Sequence, residues 1–474
     1  MYGLIYFDTE DAISPPEAGV DDVDLWLADM LTERGLTGSF HITGIKARSL
    51  EQRGRNDIIQ AMARHGVASH FDTGSVQPMT VHQVAKADWE QGVQITLQRE
   101  VNGFNEIERI FGHCAGLTRH AHSYAPQIIH AVGKLGKVNY GIPFHPPGHR
   151  AFWFAGTLCF TIIGLLRNAD GRQTDGKFEP AYETDETFEA QLKRYEIALA
   201  ETARQWDFTA ITALHPGKAT TSEHESWNHY HGENRTPPLP PPLRTDAQRQ
   251  TIKRNIARLF DTIAHVPEIK TKSLRELATI YGSCLTQIDQ AHLKRYASRV
   301  CQTDDVPLDD LFSPAELLVG MAQSVLAYQQ SGVMPSAVTA ANVIGPTVFR
   351  RDQPTDQMTI DDQMLRILCG NLCSWVEDRG TLPDQIQSSN GKIDLVALLG
   401  VVAQAYLAYS AGKLPTKWQT TPRAAYPRVA DSWRPLIQIL DTCNLCSSDF
   451  DLTRIIELTC MQAWSVKPAY ARIG

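Results

Sequence analysis

Tyr6-Phe-Asp-Thr-Glu-Asp11 places three carboxylates within four positions at the end of an apolar run. In such a corner one carboxylate can hold a metal ion while another takes a proton from water. The same pattern can also simply cap a following helix. Gly66-Val-Ala-Ser-His-Phe-Asp-Thr-Gly-Ser-Val-Gln-Pro78 contributes His70 directly after a short β-prone run. A neutral imidazole there can ligate a metal through a ring nitrogen, or only hydrogen-bond. Asp72, two residues on, can ligate, orient the ring, or do neither. His215, in Thr212-Ala-Leu-His-Pro216, has an ordinary pKa near neutrality and is a candidate general acid. Its plainer reading is a buried histidine fixed before a proline turn.

These residues need a scaffold that brings distant segments together. Up to about residue 283, strand-like and helix-like segments alternate. Strands are predicted at Met1 to Phe7, Gly38 to Ile42, Val67 to His70, Phe152 to Ile163 and Phe208 to Leu214. Helices are predicted at Val23 to Arg34, Asp57 to His65, Ala125 to Leu135, Thr187 to Trp206 and Asp246 to Ala264. Alternation of this kind indicates an α/β domain with a mostly parallel sheet or barrel. Working residues of such folds sit at the carboxyl ends of strands. Asp8, His41, His70 and His215 all fall at predicted strand ends.

At 474 residues the chain exceeds one typical core. Hydrophobic residues at 43% and charged residues at 21% are those of an ordinary globular protein. A net charge of −8 argues against a nucleic-acid partner. Ala151 to Leu166, the longest apolar stretch, is broken by Gly and Thr and reads as buried strand, so no transmembrane segment is expected. The start carries no signal-peptide pattern; a cytoplasmic location is expected as it stands, an extracytoplasmic one if the start is truncated. Nine cysteines cannot all pair within the chain, which favours a reducing compartment. Cys369, Cys373, Cys443 and Cys446 total four thiols, but helical core positions explain the first two better than zinc does. Asn234-Arg-Thr236 matches a glycosylation acceptor, which means little without a secretion signal.

Beyond residue 284 the text becomes helical and repetitive. Met321 to Pro335, Val402 to Pro415 and, more weakly, Cys369 to Pro383 each read as an apolar-periodic helix, a capping glycine and a proline stop. Domains are therefore expected at 1–283 and 284–474, the second an α-helical domain of helix–turn repeats. The Pro-rich segment 235–244 reads as an extended connector within the first domain.

Taken in order, the first domain's motifs resemble those of the polysaccharide deacetylases, carbohydrate esterase family four, in a divergent branch. Phe7-Asp-Thr-Glu-Asp11 looks like the family's first motif, Gly38-Ser-Phe-His-Ile42 like its second strand, and His65 to His70 like the approach to its histidine motif. Phe152 to Leu158, Leu214-His-Pro216 and Ser226 to Asn234 look like later landmarks. The resemblance implies an irregular parallel (β/α) barrel and a metal-dependent deacetylase-like hydrolase acting on an N-acylated, carbohydrate substrate. It implies a divalent metal, zinc for preference. Carried over by position, Asp8 matches the catalytic base, Asp11 the metal carboxylate and His70 the first histidine ligand. His215 then matches the late histidine acid and Arg119 the arginine that orients the base. The family's second histidine falls on Gly74, which cannot ligate, and Gln77 is a poor substitute. Asp72 is one candidate to fill that gap. His113, His120 and His122, in Phe111 to Ser123, are richer ones. Gly74 also motivates an alternative: a degenerate deacetylase fold that binds glycan or cell-wall polymer without turnover. The C-terminal repeats faintly resemble pseudomurein-binding repeats, which implies a cell-wall polymer as partner.

Overall fold

The computed structural model describes residues 1–121, 123–164, 182–224, 237, 239–349, 358–388, 391–421, 424–438 and 450–472. His122, the Ser226–Asn234 landmark, the glycosylation acceptor, Cys443 and Cys446 lie outside these. Strand β1 (Tyr2–Thr9) is flanked in parallel by β2 (Gly38–Ile42) and β8 (Phe208–Leu214). From β2 the parallel row continues through β3 (Gly66–Ser69), β4 (Gly116–Thr118) and β5 (Val138–Ile142) to β7 (Thr157–Thr161). A parallel bridge between Gly164 and Ala210 joins the far end of that row back to β8. The sheet thus curls into an irregular (β/α) barrel, the fold class expected above.

Side-chain alternation along each strand divides inside from outside. Leu4 and Tyr6 of β1 join Ala68, Tyr140, Phe160, Phe208 and Ala210 in one buried cluster, the barrel interior. Ile5 and Phe7 face the other way, onto Phe40, Ile42 and Val67 and the surrounding helices. Leu274, Leu277 and Tyr281, from helix Leu274–Tyr281, belong to the interior cluster. Tyr281 sets its ring edge-on to Tyr2, Phe160 and Phe208, closing the amino-terminal end of the barrel.

Helices α1 (Asp22–Glu33), α2 (Gly44–Gln52), α3 (Asn56–Ala63), α4 (Thr80–Val84), α5 (Trp89–Phe111), α6 (Pro126–Lys134) and α7 (Asp185–Gln205) follow the chain. The region Phe152 to Ile163, read above as one strand, is instead a hairpin: β6 (Ala151–Phe154) turns onto β7. Ala155 and Gly156, both at positive φ (49° and 76°), make the two-residue turn such a reversal requires.

The helical half carries a regular unit beyond the helix and its stop. Asp289, Asp361 and Asp394 each end a short strand and accept a hydrogen bond from the third helical residue. Of the three repeat helices, Asp362–Arg379 and Leu395–Ser410 carry this aspartate cap, whereas Pro314–Ser331 is capped by Ser313 and Asp289 caps the helix Gln290–Gln302 before it. Of the apolar residues before the stop prolines, Leu382 is buried but Leu414 is exposed, so the capping contact is not uniform. The chain then returns across the expected boundary at 283. Ile455, Leu458 and Val466 enter the core outside the barrel, and Lys467–Pro468 pairs antiparallel with β6. Lys467 also meets buried Glu316 at 2.6 Å, tying that strand to the helical half. No described helix is long and apolar enough to cross a membrane.

Candidate metal centre

The register of the parallel strands brings their carboxyl ends to one rim. Asp8 pairs with His41 across β1 and β2, and His215 follows Leu214, the partner of Phe7. Tyr6, Asp8 and Glu10 alternate on the interior face, so both carboxylates point into the mouth of the barrel. Glu10 is buried there against four histidines. Its Oε2 lies 2.6 Å from His120 Nε2, and its Oε1 lies 3.5 Å from His70 Nε2. The same Oε1 lies 3.6 Å from His215 Nε2 and 3.5 Å from His224 Nε2. Burial pushes the Glu10 pKa up, but the charges and hydrogen bonds of His120 and His224 outweigh it and hold the carboxylate well below its ordinary range.

Asp8 occupies the floor of this arrangement. Its Oδ1 lies 3.9 Å from His70 Nε2 and 3.7 Å from His41 Nδ1; its Oδ2 lies 3.7 Å from His215 Nε2. His41 is fully buried and stacked on Tyr6 at 5.2 Å. Burial pushes its pKa down further than Asp8 raises it, which keeps the ring neutral.

Of the residues singled out above, Asp8, His70 and His215 meet at this rim; Asp11 and Asp72 do not. Asp11 follows the odd-numbered, outward face of β1. Its Oδ1 accepts from the backbone N–H groups of Ile13 and Ser14 (3.1 and 2.9 Å), and its Oδ2 from the Ser14 hydroxyl at 2.7 Å. It closes a local turn. Asp72 turns away from His70 and accepts from Arg48 Nη1 at 2.7 Å. A Cβ on Gly44 would lie 1.9 Å from Asp72 Oδ1 and one on Gly103 2.8 Å from Asp72 Cβ, so these glycines make the niche that holds it. Arg119 is half-buried at the end of β4, its backbone N–H donating to Tyr140 and its Cβ against Gly141. His113 sits at the other end of the barrel wall, accepting from Val67 N–H at 3.1 Å.

Two residues at the rim, Glu10 and His224, were not singled out by sequence reasoning. Strict period-two alternation from Tyr6 would have favoured Glu10 over Asp11 as partner to Asp8. His224, on the loop after β8, gives no local signal. His120 is one of the three histidines considered for the gap at Gly74, and its ring stands beside that position. A Cβ on Gly74 would lie 3.8 Å from His120 Nε2 and 2.9 Å from the Thr43 methyl. The His120 ring, which arrives from the end of β4, thus stands in van der Waals reach of a Cβ at 74, and the Thr43 methyl crowds that Cβ.

Among the described residues, two sets of three possible ligands have their donor atoms within 4.8 Å of one another: Glu10, His70, His120 and Glu10, His215, His224. The first set is fully buried. Two imidazoles and a carboxylate are the donors of a three-ligand catalytic zinc site, and borderline nitrogen ligands suit zinc over magnesium or calcium. The residues therefore fit a divalent cation.

No family model and no curated protein matches this chain. Solved structures similar to it include a putative polysaccharide deacetylase from Mycobacterium smegmatis, at 13% identity and TM-score 0.36, covering 59% of this chain and 89% of that one. A 4-alpha-glucanotransferase from Thermococcus litoralis has 8% identity and TM-score 0.38, covering 59% of this chain and 40% of that one. A family 4 acetyl xylan esterase from Clostridium thermocellum, solved with a cobalt ion, has 13% identity and TM-score 0.30, covering 60% and 92%.

Proposed function

We propose that the chain is a metal-dependent hydrolase that removes the acyl group from an N-acylated carbohydrate, with Glu10, His70 and His120 as the metal ligands. The observation that carries this is His120 occupying the space beside Gly74, which completes a buried three-ligand set. A divalent ion bound there supplies polarisation of the acyl oxygen and acidification of a water. The rest of the chemistry falls to the chain's own side chains. Asp8 stands 3.7 to 3.9 Å from three histidine nitrogens and points into the same mouth, the place for a base that takes the proton of the attacking water. His41, fully buried, brings its Nδ1 to 3.7 Å from Asp8 Oδ1. His215, more exposed than the ligands, gives a proton to the leaving nitrogen as the C–N bond breaks, so that a carboxylate and an amine depart.

The carbohydrate class and the choice of zinc are supported by the motif order of the first domain and by the donor set. Chelator-sensitive release of acetate from chitooligosaccharide or peptidoglycan tests the reading, with Asp8→Asn as control. Full activity in Asp8→Asn would remove Asp8 as the base. Binding of these polymers without acetate release, in metal-loaded protein, would favour the non-hydrolytic alternative.

A further inference from the structure

The hydrolytic reading uses one histidine pair as ligands and leaves the other only partly explained. All four histidines present Nε2 to the same carboxylate. His120 faces Oε2 of Glu10, while His70, His215 and His224 face Oε1 at 3.5, 3.6 and 3.5 Å. Asp8 does divide its oxygens between the pairs, Oδ1 towards His70 and Oδ2 towards His215. Within each pair the rings pack edge-on, at 4.7 Å for His70 and His120 and 4.6 Å for His215 and His224. One general acid would need one histidine. A pair converging on a shared carboxylate, with donor atoms within 4.8 Å, has the composition and spacing of a ligand set. A carboxylate placed between two such sets is how adjacent metal ions are bridged.

We infer that Glu10, His215 and His224 form a second divalent-cation position, sharing Glu10 with the first. This second set is less buried than the first, so its ion exchanges more readily and binds more weakly. Occupation takes His215 Nε2 out of proton transfer. Excess metal therefore switches off the hydrolysis proposed above; only this consequence, not the site, rests on that reading.

The test is a titration of metal-free, full-length protein with Co2+ and with Zn2+, followed by calorimetry and by elemental analysis of the desalted protein. Wild type is expected to take two equivalents, the second at least tenfold weaker. His224→Ala should keep only the tight equivalent, and His120→Ala only the weak one. Saturation of wild type at one equivalent, or two equivalents in His224→Ala, would overturn the inference. Should either variant misfold, paramagnetic resonance of wild type loaded with Cu2+ decides alone. Dipolar broadening must appear between one and two equivalents if the ions share Glu10, and its absence refutes the site. Two bound ions without hydrolysis of any N-acetylated glycan would leave the second position standing and remove the enzymatic reading. Hydrolysis by a protein that binds only one ion would do the reverse.

Discussion

Asp24 offers a sharp test of the interior electrostatics because its carboxyl is buried in α1 beside other charges. Burial raises its pKa from 3.8 to about 7, with Lys46 pulling it down and Asp21 and Asp11 pushing it up. Lys46 is already committed: its ammonium donates to Asp21 at 2.5 Å and to the Asp11 carbonyl at 2.7 Å. Oδ1 of Asp24 has no hydrogen-bond partner among the described residues. The raised pKa means that the folded state binds the proton more tightly than the unfolded chain does. Stability is therefore greatest below the unfolded pKa and falls as pH rises through the window from about 4 to about 7. Across the whole window the loss is about 4 kcal/mol, at roughly 1.4 kcal/mol per pH unit. More than half has gone by pH 5.5, so about 2 kcal/mol remains to be lost between pH 5.5 and 8.5. Asp24→Asn removes this dependence while keeping the shape. Buried histidines such as His41 and His65, whose pKa values are lowered, titrate in both proteins and cancel in the difference. Urea unfolding of wild type and variant at pH 5.5 and 8.5 gives that double difference. The variant should gain about 2 kcal/mol on wild type between the two pH values. Equal pH slopes in the two proteins would show that Asp24 is ionised throughout and that the reasoning is wrong.

Other expected outcomes follow from the rim and its supports. Glu10→Gln should abolish tight metal binding, whereas Asp72→Asn should retain it and lose about 1–2 kcal/mol of stability from the Arg48 pair; elemental analysis and urea melts separate the two. Gly74→His should not add a ligand. At φ 53°, with the Thr43 methyl 2.9 Å from its Cβ, it should cost about 1–3 kcal/mol and weaken metal binding by displacing His120. A tighter metal in that variant would show that position 74 is still part of the ligand sphere. Truncation after residue 451 should leave an insoluble protein. Each of Ile455, Leu458 and Val466 contributes roughly 1.5–3 kcal/mol by burial, against a typical total stability of roughly 5–15 kcal/mol. A soluble, cooperatively melting 1–283 fragment would contradict that packing.

The strand ends were legible because the chemistry they carry interrupts a simple pattern. Strands of four to eight residues end within one residue of Asp8, His41, His70 and His215, and a parallel barrel gathers strand ends by construction. Asp11, matched to the metal carboxylate by motif position, lies off the rim, whereas strand geometry puts Glu10 on it. Alternation is a backbone property and does not yield to motif spacing: residues 4, 6, 8 and 10 share a face, so Asp11 had to leave it. Helix α5 was missed for a different reason. Its buried face carries Gly92, Thr96, Glu100 and Gly103, which break the apolar periodicity that marks a helix. Those small and polar residues are there because the face packs on the site's scaffold: Gly103 leaves room for Asp72, and Glu100 accepts from the Asp72 backbone N–H at 2.8 Å. The segment that holds the His70 loop in place was thus disguised by the contacts that hold it. His120 shows the same logic from the other side. A histidine expected four residues after His70 falls on Gly74; in the ligand set proposed above the imidazole beside that position, His120, comes from a neighbouring strand end, at a distance no local pattern encodes. A missing ligand in one strand-end loop of a barrel is therefore better sought in the loops beside it than in the residues that follow it.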